Sequence, residues 1–464
     1  MQLIEGHAPL TPDADIPVLD VDPYDEATLA DPFSWYARLR EAGPVVFIPR
    51  YQVLAVGRYE ETRATFSDHE NFVSSRGIGF NDFKLEKPWR PPSIILEADP
   101  PEHTKTRRVM SKALSPKVVR GLMDDFRATA EEVVDGLLER SEIEGVVDLA
   151  EAFPTRVFPR AVGMRDVNPR HLVDYGAIVF NAVGPDNALR RAAMARAPEV
   201  AAWINSACAR DRLTDEGLGA LVYEAADARE ITADEAAMLV RSFLSAGVDT
   251  TVTGIGNALW CFSQNPGQWE ALKSDPSLAR PAFEEVLRIT SPVHTFLRTA
   301  DRDTEIAGHL VPESAKVLCV LGAANMDPEK WGDPEAFRID RRPMGHMAFG
   351  AGIHGCVGQN IARGELEALL TVMAAKVARI EPVTRPSGGP TTLSVRSTGC
   401  RSNSSRNRGS HGYSYLHPAR RQREDRGGQP GRQRDADRHL CKRARHRRRM
   451  RRLHGLRDLP CLRG

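Results

Sequence analysis

The chain has 464 residues, of which 41% are hydrophobic and 27% charged, a composition typical of a globular protein that can bury a large core. The net charge of +1 excludes a chain that is acidic or basic throughout, but it averages two unlike parts: residues 387–464 carry +16 and residues 1–386 carry −15. We therefore predict one large folded domain over residues 1–386 and a separate arginine-rich tail over residues 387–464.

Helical patterns dominate the first part of the chain. Apolar residues recur there at helical spacing, and Thr232 followed by Glu235 has the spacing of an N-terminal capping box. In chain order, we predict β-structure over Val45–Val56, helices over Arg120–Arg140 and Thr232–Trp260, short β-structure over Glu305–Leu310 and Val317–Leu321, and a helix over Glu365–Ile380. The predicted fold class is mainly α with a small β region.

The cysteines and the N-terminal residues indicate in which cellular compartment the protein is expected. Seven cysteines are scattered along the chain without a C-x-x-C pair, and an odd, scattered set argues against a disulfide framework. The first residues lack the basic and apolar regions of a signal peptide, and no stretch approaches the roughly 18 uncharged apolar residues of a membrane span. We therefore expect a cytoplasmic protein that does not associate with a membrane.

The most informative segment is a glycine-rich loop around Cys356. Four glycines stand among the ten residues from Phe349 to Gly358, so the backbone can fold tightly and approach a ligand closely. A cysteine just before a helix N-terminus favours a thiolate, which suits a soft, redox-active metal. An isolated buried cysteine is more often structural. The pattern Phe-Gly-x-Gly-x-His-x-Cys-x-Gly, however, closely resembles the haem-binding loop of cytochromes P450.

That resemblance extends over roughly residues 15–386 and implies the cytochrome P450 fold, a helical prism with a small β region. It implies haem b (iron-protoporphyrin IX) as cofactor and Cys356 as the proximal thiolate ligand of its iron. The residues that match family positions contacting the haem are His103, Arg107, Ala246, Gly247, Arg298, Phe349, Gly350, His354, Cys356 and Gly358. Four of them are expected to bind the haem propionates: His103, Arg107, Arg298 and His354.

A second motif, Ala246 to Thr251, resembles the oxygen-binding motif of the family's long central helix. The resemblance implies that Thr250 stabilises bound dioxygen and that Asp249 delivers protons. It also implies that the small residues Ala246 and Gly247 leave room over the haem. Without Cys356, an isolated Asp-Thr pair would more often be an ordinary helical face.

A third motif joins Glu285 and Arg288, which share a helix face because they are three residues apart. Alone, such a pair is usually a solvated surface pair. The pair resembles the family's Glu-x-x-Arg motif, which implies a buried structural pair with Arg341 as its third member.

Within the family, the chain is most similar to bacterial P450s that oxidise para-substituted benzoates, on segments such as Ser74–Gly77 and Lys87–Ser93. A benzoate needs charge-assisted donors at one end and flat apolar walls elsewhere. The resemblance implies substrate contacts at Arg90, Ser93, Phe180, Arg241, Ser242, Ser245, Val293 and Phe296. Val183 stands where relatives can carry Phe, which would widen the pocket. The alternative for Arg90 is a surface charge beside a proline turn.

The predicted function is a haem-thiolate monooxygenase that hydroxylates or O-demethylates a small aromatic acid with O₂. Its electrons would come from NAD(P)H through a reductase and a [2Fe–2S] ferredoxin. Two alternatives within the family are a different small hydrophobic substrate and a peroxide-driven enzyme. The Asp249-Thr250 pair argues against the peroxide-driven enzyme, because those lineages often lack it.

The arginine-rich tail has no periodic apolar face, so we expect residues 387–464 to be disordered. Read from the third base of each codon, the segment after Ser387 permits a P450-like ending. Read from the second base, Met450–Leu462 permits a C-x₅-C-x₂-C run that resembles [2Fe–2S] ferredoxins. We therefore interpret the tail as the product of a frameshift into an adjacent ferredoxin gene, without a nucleic-acid partner. The rival interpretation is a genuine basic extension that binds nucleic acid, which would make the chain a non-catalytic haem protein.

Overall fold

The computed structural model describes residues 9–140, 143–383 and 392–397. Helices dominate these residues, as the sequence predicts. The α-helices are α1 (Glu26–Ala30), α2 (Phe33–Ala42), α3 (Tyr59–Ser67), α4 (Glu102–Ala113), α5 (Pro116–Gly121), α6 (Met123–Leu138), α7 (Pro154–Val162), α8 (Pro169–Ala182), α9 (Ala188–Met194), α10 (Ala197–Ala207), α11 (Leu218–Asp227), α12 (Ala233–Ala246), α13 (Asp249–Gln264), α14 (Pro266–Ser274), α15 (Ala279–Thr290), α16 (Leu321–Asn325), α17 (Pro328–Trp331) and α18 (Gln359–Lys376). A π-helical segment, Gly145–Glu151, precedes α7.

The strands are short. They are β1 (Val46–Ile48), β2 (Val53–Val56), β3 (Phe72–Val73), β4 (Thr295–Ala300), β5 (Thr304–Ile306), β6 (His309–Val311), β7 (Lys316–Val320), β8 (Val377–Val383) and β9 (Thr392–Ser397). The main sheet has the order β1-β2-β7-β4-β3, in which β2 and β7 are parallel and the other pairs antiparallel. The predicted β-structure near residues 45–56, 305–310 and 317–321 is thereby confirmed.

The main hydrophobic core lies between the long helices. Helix α6 buries Phe126, Ala130, Val133 and Leu137, which share one face because they follow the helical repeat. This face packs against α18, the helix that follows the Cys356 loop. Each buried aliphatic or aromatic side chain contributes about 1.5–3 kcal/mol, so this packing holds the loop on a rigid support.

The long helix predicted over Thr232–Trp260 is interrupted. The capping box at Thr232 and Glu235 forms as expected, but α12 ends at Ala246 and α13 begins at Asp249. The prediction of one continuous helix is therefore wrong at these residues. Apolar residues continue at helical spacing through the break, and Gly247, the C-cap of α12, was the available local signal.

The predicted C-terminal helix also differs in its bounds. It begins at Gln359 rather than Glu365, and it ends at Lys376 because Val377 starts strand β8. Strand β8 pairs with β9 in an antiparallel hairpin. The six residues of β9 belong to the tail that we expected to be disordered, and for them that expectation is wrong. The sequence Thr-Leu-Ser-Val-Arg-Ser alternates polar and apolar residues, which is a strand pattern. Residues 398–464 lie outside the described part of the chain.

Among the described helices, none is long and apolar enough to cross a membrane.

Candidate functional site

The glycine-rich loop places the Cys356 thiol at the start of helix α18. Gly350 and Gly352 have φ angles of +69° and +66°, in the left-handed region that favours glycine. A Cβ at Gly352 would lie 2.7 Å from the Cα of Ser67, so the loop packs directly on α3. The backbone N–H of Cys356 donates to the carbonyl of Phe349 at 2.8 Å. The tight turn therefore depends on glycine and fixes the position of the cysteine.

The environment of Cys356 differs from that of the other cysteines that the structure describes. All four are free thiols: Cys208, Cys261, Cys319 and Cys356. Burial raises the pKa of Cys208 and of Cys319 to about 12. Burial also raises the pKa of Cys356, but the backbone N–H groups of Gly358 and Gln359 and the charge of Arg107 act in the opposite direction. Helix N-terminal N–H groups stabilise a thiolate, so Cys356 is the described cysteine best suited to bind a metal.

Two histidines face each other beside Asp99. The ring centroids of His103 and His354 are 4.4 Å apart, and Nε2 of His354 lies 3.8 Å from Oδ1 of Asp99. Burial, together with the neighbouring His354 and Arg107, lowers the pKa of His103 to about 4. Nε2 of His103 is buried without a hydrogen-bond partner. A buried polar atom of this kind is costly unless a ligand satisfies it.

Arg298 of strand β4 provides a buried positive charge next to this pair. Its side chain is 1% exposed, and its guanidinium carbon lies 4.0 Å above the ring of Phe66. Nη1 donates to the carbonyl of Leu297 at 3.0 Å, whereas Nη2 is buried without a partner. Burial lowers the pKa of Arg298 to about 10. A buried, unpaired guanidinium is unfavourable, so this site favours an anionic ligand.

The junction between α12 and α13 carries the predicted oxygen-binding motif. Oγ1 of Thr250 donates to the carbonyl of Ala246 at 2.7 Å, and the Ala246 side chain is exposed. A Cβ on Gly247 would lie 2.1 Å from the ring of Phe158. Glycine is therefore required at this position for the close contact with Phe158 of α7, and the expectation that Gly247 leaves room over the haem stays a prediction.

Asp249 begins α13 and packs against α8. A Cβ on Gly176 would lie 2.3 Å from the Cβ of Asp249, so this close approach requires glycine. Burial, together with the nearby Glu151 carboxylate, raises the pKa of Asp249 to about 7. The carboxyl group can thus hold and release a proton near neutral pH.

Sequence reasoning missed Glu365, a fully buried acid on α18. Oγ1 of Thr251 approaches Oε2 of Glu365 at 3.4 Å, and Oε1 has no hydrogen-bond partner. Burial raises the pKa of Glu365 to about 8. An acidic residue on an otherwise apolar helix face was the available signal, since such residues are rarely buried without a reason.

The residues of the Glu-x-x-Arg motif form a buried network. Arg288 donates to both carboxylate oxygens of Glu285, at 2.8 and 2.9 Å, and both side chains are fully buried. Nε of Arg341 donates to Oε1 of the same carboxylate at 2.9 Å. Arg288 also donates to the carbonyls of Asn325 and Pro334. The network therefore ties α15 to the segments that precede the Cys356 loop.

A buried charged cluster lies between α12 and the loop after β3. Nη1 of Arg90 donates to Glu97 at 3.0 Å and to the carbonyl of Pro91 at 2.8 Å. Nη2 of Arg241 donates to the same Pro91 carbonyl at 3.1 Å. The Arg90 side chain is only 13% exposed, so it is not a surface charge. The backbone N–H of Ser93 donates to Glu97 at 2.6 Å.

Two members of this cluster were not predicted. Glu97 accepts hydrogen bonds from Arg90 and from the backbone N–H of Ser93, contacts that are made only in the folded chain. Tyr175 of α8 lies within electrostatic reach of Arg90 and Arg241, which counteract the rise that burial causes in its pKa. The cluster contains two guanidinium groups and one carboxylate, so it carries a net positive charge beneath the surface.

The other predicted substrate residues are half-buried: Phe180 on α8, Ser242 and Ser245 on α12, Val293, and Phe296 on β4. The serine hydroxyls donate to backbone carbonyls of their own helix, at 3.0 and 3.1 Å. Across the residues that the structure describes, no hydrogen bond joins the side chains of this group to Arg90 or Ser93.

Comparison with known proteins decides the family. A family model described as cytochrome P450 matches residues 205–374. Cytochrome P450 CYP199A2 of Rhodopseudomonas palustris is 49% identical over 369 residues, which cover 79% of this chain and 90% of that protein. This chain belongs to the cytochrome P450 family.

Other members of the family are also similar to this P450. Beta-dihydromenaquinone-9 omega-hydroxylase of Mycobacterium bovis is 32% identical over 380 residues, covering 79% of this chain and 75% of that protein. Among solved structures, CYP109Q5 of Chondromyces apiculatus has a TM-score of 0.68 at 30% identity and covers 82% of this chain and 98% of its own. The complex of P450 CREJ with (4-ethylphenyl) dihydrogen phosphate has a TM-score of 0.71 at 27% identity, covering 81% and 97%. The predicted P450 fold is confirmed.

The P450 is thus an enzyme, a monooxygenase whose cofactor is haem b, and the described residues fit that group. The buried, unpartnered nitrogens of His103 and Arg298 suit the haem propionates, because carboxylates accept charge-assisted hydrogen bonds. His354 and Arg107 stand beside them. The Cys356 thiol suits the iron. The roles of the individual residues remain predictions.

Proposed function

We propose that this P450 oxidises a small aromatic acid, such as a para-substituted benzoate, and that Arg90 and Arg241 bind the carboxylate. The proposal rests on one observation above all: the guanidinium groups of the buried Arg241 and the half-buried Arg90 donate to the same Pro91 carbonyl. Among the described residues, Glu97 is the carboxylate paired with them, so the cluster has a net charge of about +1. A monoanionic ligand would neutralise this cluster.

The charge also distinguishes between classes of anion. A benzoate carries one negative charge, whereas an aryl phosphate carries nearly two at neutral pH. CREJ is solved with an aryl phosphate. For this P450, a cluster of two arginines and one glutamate favours the monoanion, because a dianion would leave an uncompensated buried charge.

The apolar part of the substrate would lie against Phe180 and Phe296, the half-buried aromatic side chains of α8 and β4. Flat rings suit aromatic walls through offset or edge-to-face contacts. Fixing one end of a rigid ring by its carboxylate orients the opposite, para substituent. This positioning is what selects one carbon for oxidation.

The residues of the chain itself bind and orient the substrate and transfer protons. The haem, when bound, supplies the one-electron redox chemistry that activates dioxygen. Asp249, with a pKa of about 7, holds a proton at the start of α13 and can pass it inward. The hydroxyl of Thr250 donates to Ala246 and can turn to another acceptor.

For a para-methoxy substrate, the atoms, electrons and protons of the oxidation can be accounted for in full. One oxygen atom of O₂ enters the methyl C–H bond, and the other leaves as water with two electrons and two protons. The resulting hemiacetal breaks its carbon–oxygen bond to release formaldehyde and the phenol.

We propose a [2Fe–2S] ferredoxin, reduced by an NAD(P)H-dependent reductase, as the electron donor. The ferredoxin-like cysteine run permitted by the tail codons supports this choice.

The test is an optical titration of the haem-loaded protein with 4-methoxybenzoate. We expect a saturable change of the ferric iron from low to high spin, because the ligand displaces iron-bound water. Neutral 4-methoxytoluene is the matched ligand without a carboxylate, and it should bind at least ten-fold more weakly. 4-Methylphenyl phosphate tests the preference for a monoanion.

Two variants test the carboxylate site directly. Arg90→Ala and Ser93→Ala should raise the dissociation constant for 4-methoxybenzoate while the haem content stays unchanged. Affinity for 4-methoxytoluene should be unaffected. If both variants bind the acid as tightly as the parent protein does, the carboxylate assignment is wrong.

A further inference from the structure

A buried lysine outside the charged cluster binds a loop that lies next to α8 and β4. Lys316 begins strand β7, and its side chain is 1% exposed. Its ammonium donates to the carbonyls of Arg76, Gly77 and Asn81, at 3.2, 3.1 and 2.6 Å. An ammonium has three donors, and here all three are used on one loop. We call this segment, residues 76–83, the wall loop.

The wall loop connects the two elements that carry the proposed aromatic walls. Its Ile78 carbonyl accepts from the N–H of Leu297 at 2.8 Å, one residue after Phe296 in β4. Its Phe80 N–H donates to the carbonyl of Val183 at 3.2 Å, at the end of α8. The loop thus lies between the helix with Phe180 and the strand with Phe296.

The wall loop is in close backbone contact with the end of α8. A Cβ on Gly79 would lie 2.3 Å from the Val183 carbonyl oxygen, so the two backbones are in direct contact. The ends of the loop are tied by the buried ion pair of Arg76 with Asp82, and Nη1 of Arg76 donates to Ser314 at 3.0 Å. Lys316 adds a further tie between the two ends of the loop, because the carbonyls of Arg76, Gly77 and Asn81 all bind its one ammonium.

We propose that Lys316 is a positioning residue for the substrate: its ammonium holds the wall loop against α8 and β4 and thereby sets the affinity for the aromatic acid. This inference rests on the proposed function. Lys316 acts through the loop and touches neither the carboxylate site nor the Cys356 loop. Its loss should therefore weaken substrate binding and leave the chemical step intact.

Lys316→Met tests this inference, because methionine keeps the length of the side chain and removes all three donors. The carbonyls of Gly77 and Asn81 then lose the ammonium, and that of Arg76 keeps only the N–H of Phe83. The first measurement is hydrogen–deuterium exchange of residues 77–83 in the haem-loaded full-length protein. We expect exchange in this segment to accelerate at least ten-fold in Lys316→Met. The matched control, Lys117→Met, changes an exposed lysine on α5 and should leave exchange unchanged.

The second measurement is the split between binding and turnover for 4-methoxybenzoate. Lys316→Met should raise the dissociation constant and KM at least ten-fold, with kcat within a factor of two. A residue that only stabilises the fold would lower the unfolding temperature without this selective change. Unchanged exchange in the wall loop, or an unchanged dissociation constant, overturns the inference.

If Lys316→Met does not yield haem-loaded protein, Lys316→Gln decides instead, because it keeps two neutral donors. An intermediate acceleration of exchange and an intermediate rise in the dissociation constant support the inference, and wild-type values refute it. Failure of the proposed function is recognised separately. In that case the wild-type protein gives no spin-state change with 4-methoxybenzoate, whereas the exchange experiment needs no substrate.

Discussion

Asp249 is the residue whose chemistry can be tested most directly. Burial raises its pKa to about 7, so its carboxyl group is near half-protonated at neutral pH. An amide of the same shape cannot transfer that proton. We expect Asp249→Asn to lower turnover by about 10²-fold, a typical contribution of general acid catalysis. The substrate-induced spin-state change should keep its amplitude and midpoint.

Steady-state turnover and the optical titration, run on the same preparation, make this measurement. Asp234→Asn is the control, since Asp234 is an exposed acid in the first turn of α12 and should have no effect. Unchanged turnover in Asp249→Asn would show that protons take another route.

Glu365 permits a prediction of stability against pH. Burial raises the pKa of its carboxyl group to about 8, well above the ordinary value of 4.5. In the unfolded chain the group ionises at the lower pH, so the folded protein loses stability as pH rises from 4.5 to 8. Glutamine does not titrate and escapes this loss.

We therefore expect Glu365→Gln to unfold at nearly the same temperature as the parent protein at pH 5. At pH 8.5 it should unfold at a higher temperature. Thermal unfolding of both proteins across this range measures the difference. A constant difference at all pH values would mean that Glu365 is not the titrating group.

At the break between α12 and α13, Gly247 packs closely against Phe158 of α7. Gly247 lacks the Cβ that would lie 2.1 Å from the Phe158 ring. Gly247→Ala should therefore lower the unfolding temperature, although alanine normally favours a helix over glycine. Phe158→Ala alone should cost about 3–5 kcal/mol by leaving a cavity.

The double variant Gly247→Ala with Phe158→Ala should be less destabilised than the sum of the two changes. The new methyl group then occupies space that the ring has left, and residues in contact are not additive. Unfolding in denaturant measures all four proteins. Additive losses would show that the ring and the glycine do not interact.

This pair also shows what sequence patterns can and cannot predict about the elements. The capping box at Thr232 follows from residues three apart, so it could be predicted from the sequence. The close contact between Gly247 and Phe158 joins residues 89 positions apart in the chain, and local periodicity does not report such contacts. The end of α18 is similar, because Val377 leaves the helix to pair with strand β9.

The same distinction applies to the site. Cys356 stands in a contiguous and specific motif, which a sequence reveals at once. Glu97 and Lys316 were missed because their roles depend on contacts made in the folded chain. Lys316 binds carbonyls about 240 positions away, and an isolated lysine in a strand pattern carries no mark of it.

For the molecule as a whole, the hairpin of β8 and β9 limits where the chain can be shortened. Val377 and Ile380 are buried in the main core with α13 and α18. The proposed substrate residues begin at Arg90 and the proposed haem residues at His103. The last of them is Gly358, so all of them precede this hairpin. The hairpin therefore supports the core that holds the site, whereas residues 398–464 carry none of the site residues.

Two truncations separate these parts. A protein ending at Ser397 should bind haem, form the thiolate-type CO complex when reduced, and bind 4-methoxybenzoate with the affinity of the full chain. A protein ending at Lys376 should lose haem, because removing the buried Val377 and Ile380 side chains alone costs about 2–5 kcal/mol each. If the protein ending at Ser397 also loses haem or substrate affinity, residues 398–464 of the arginine-rich tail have a structural role. Its interpretation as a frameshift product would then be wrong.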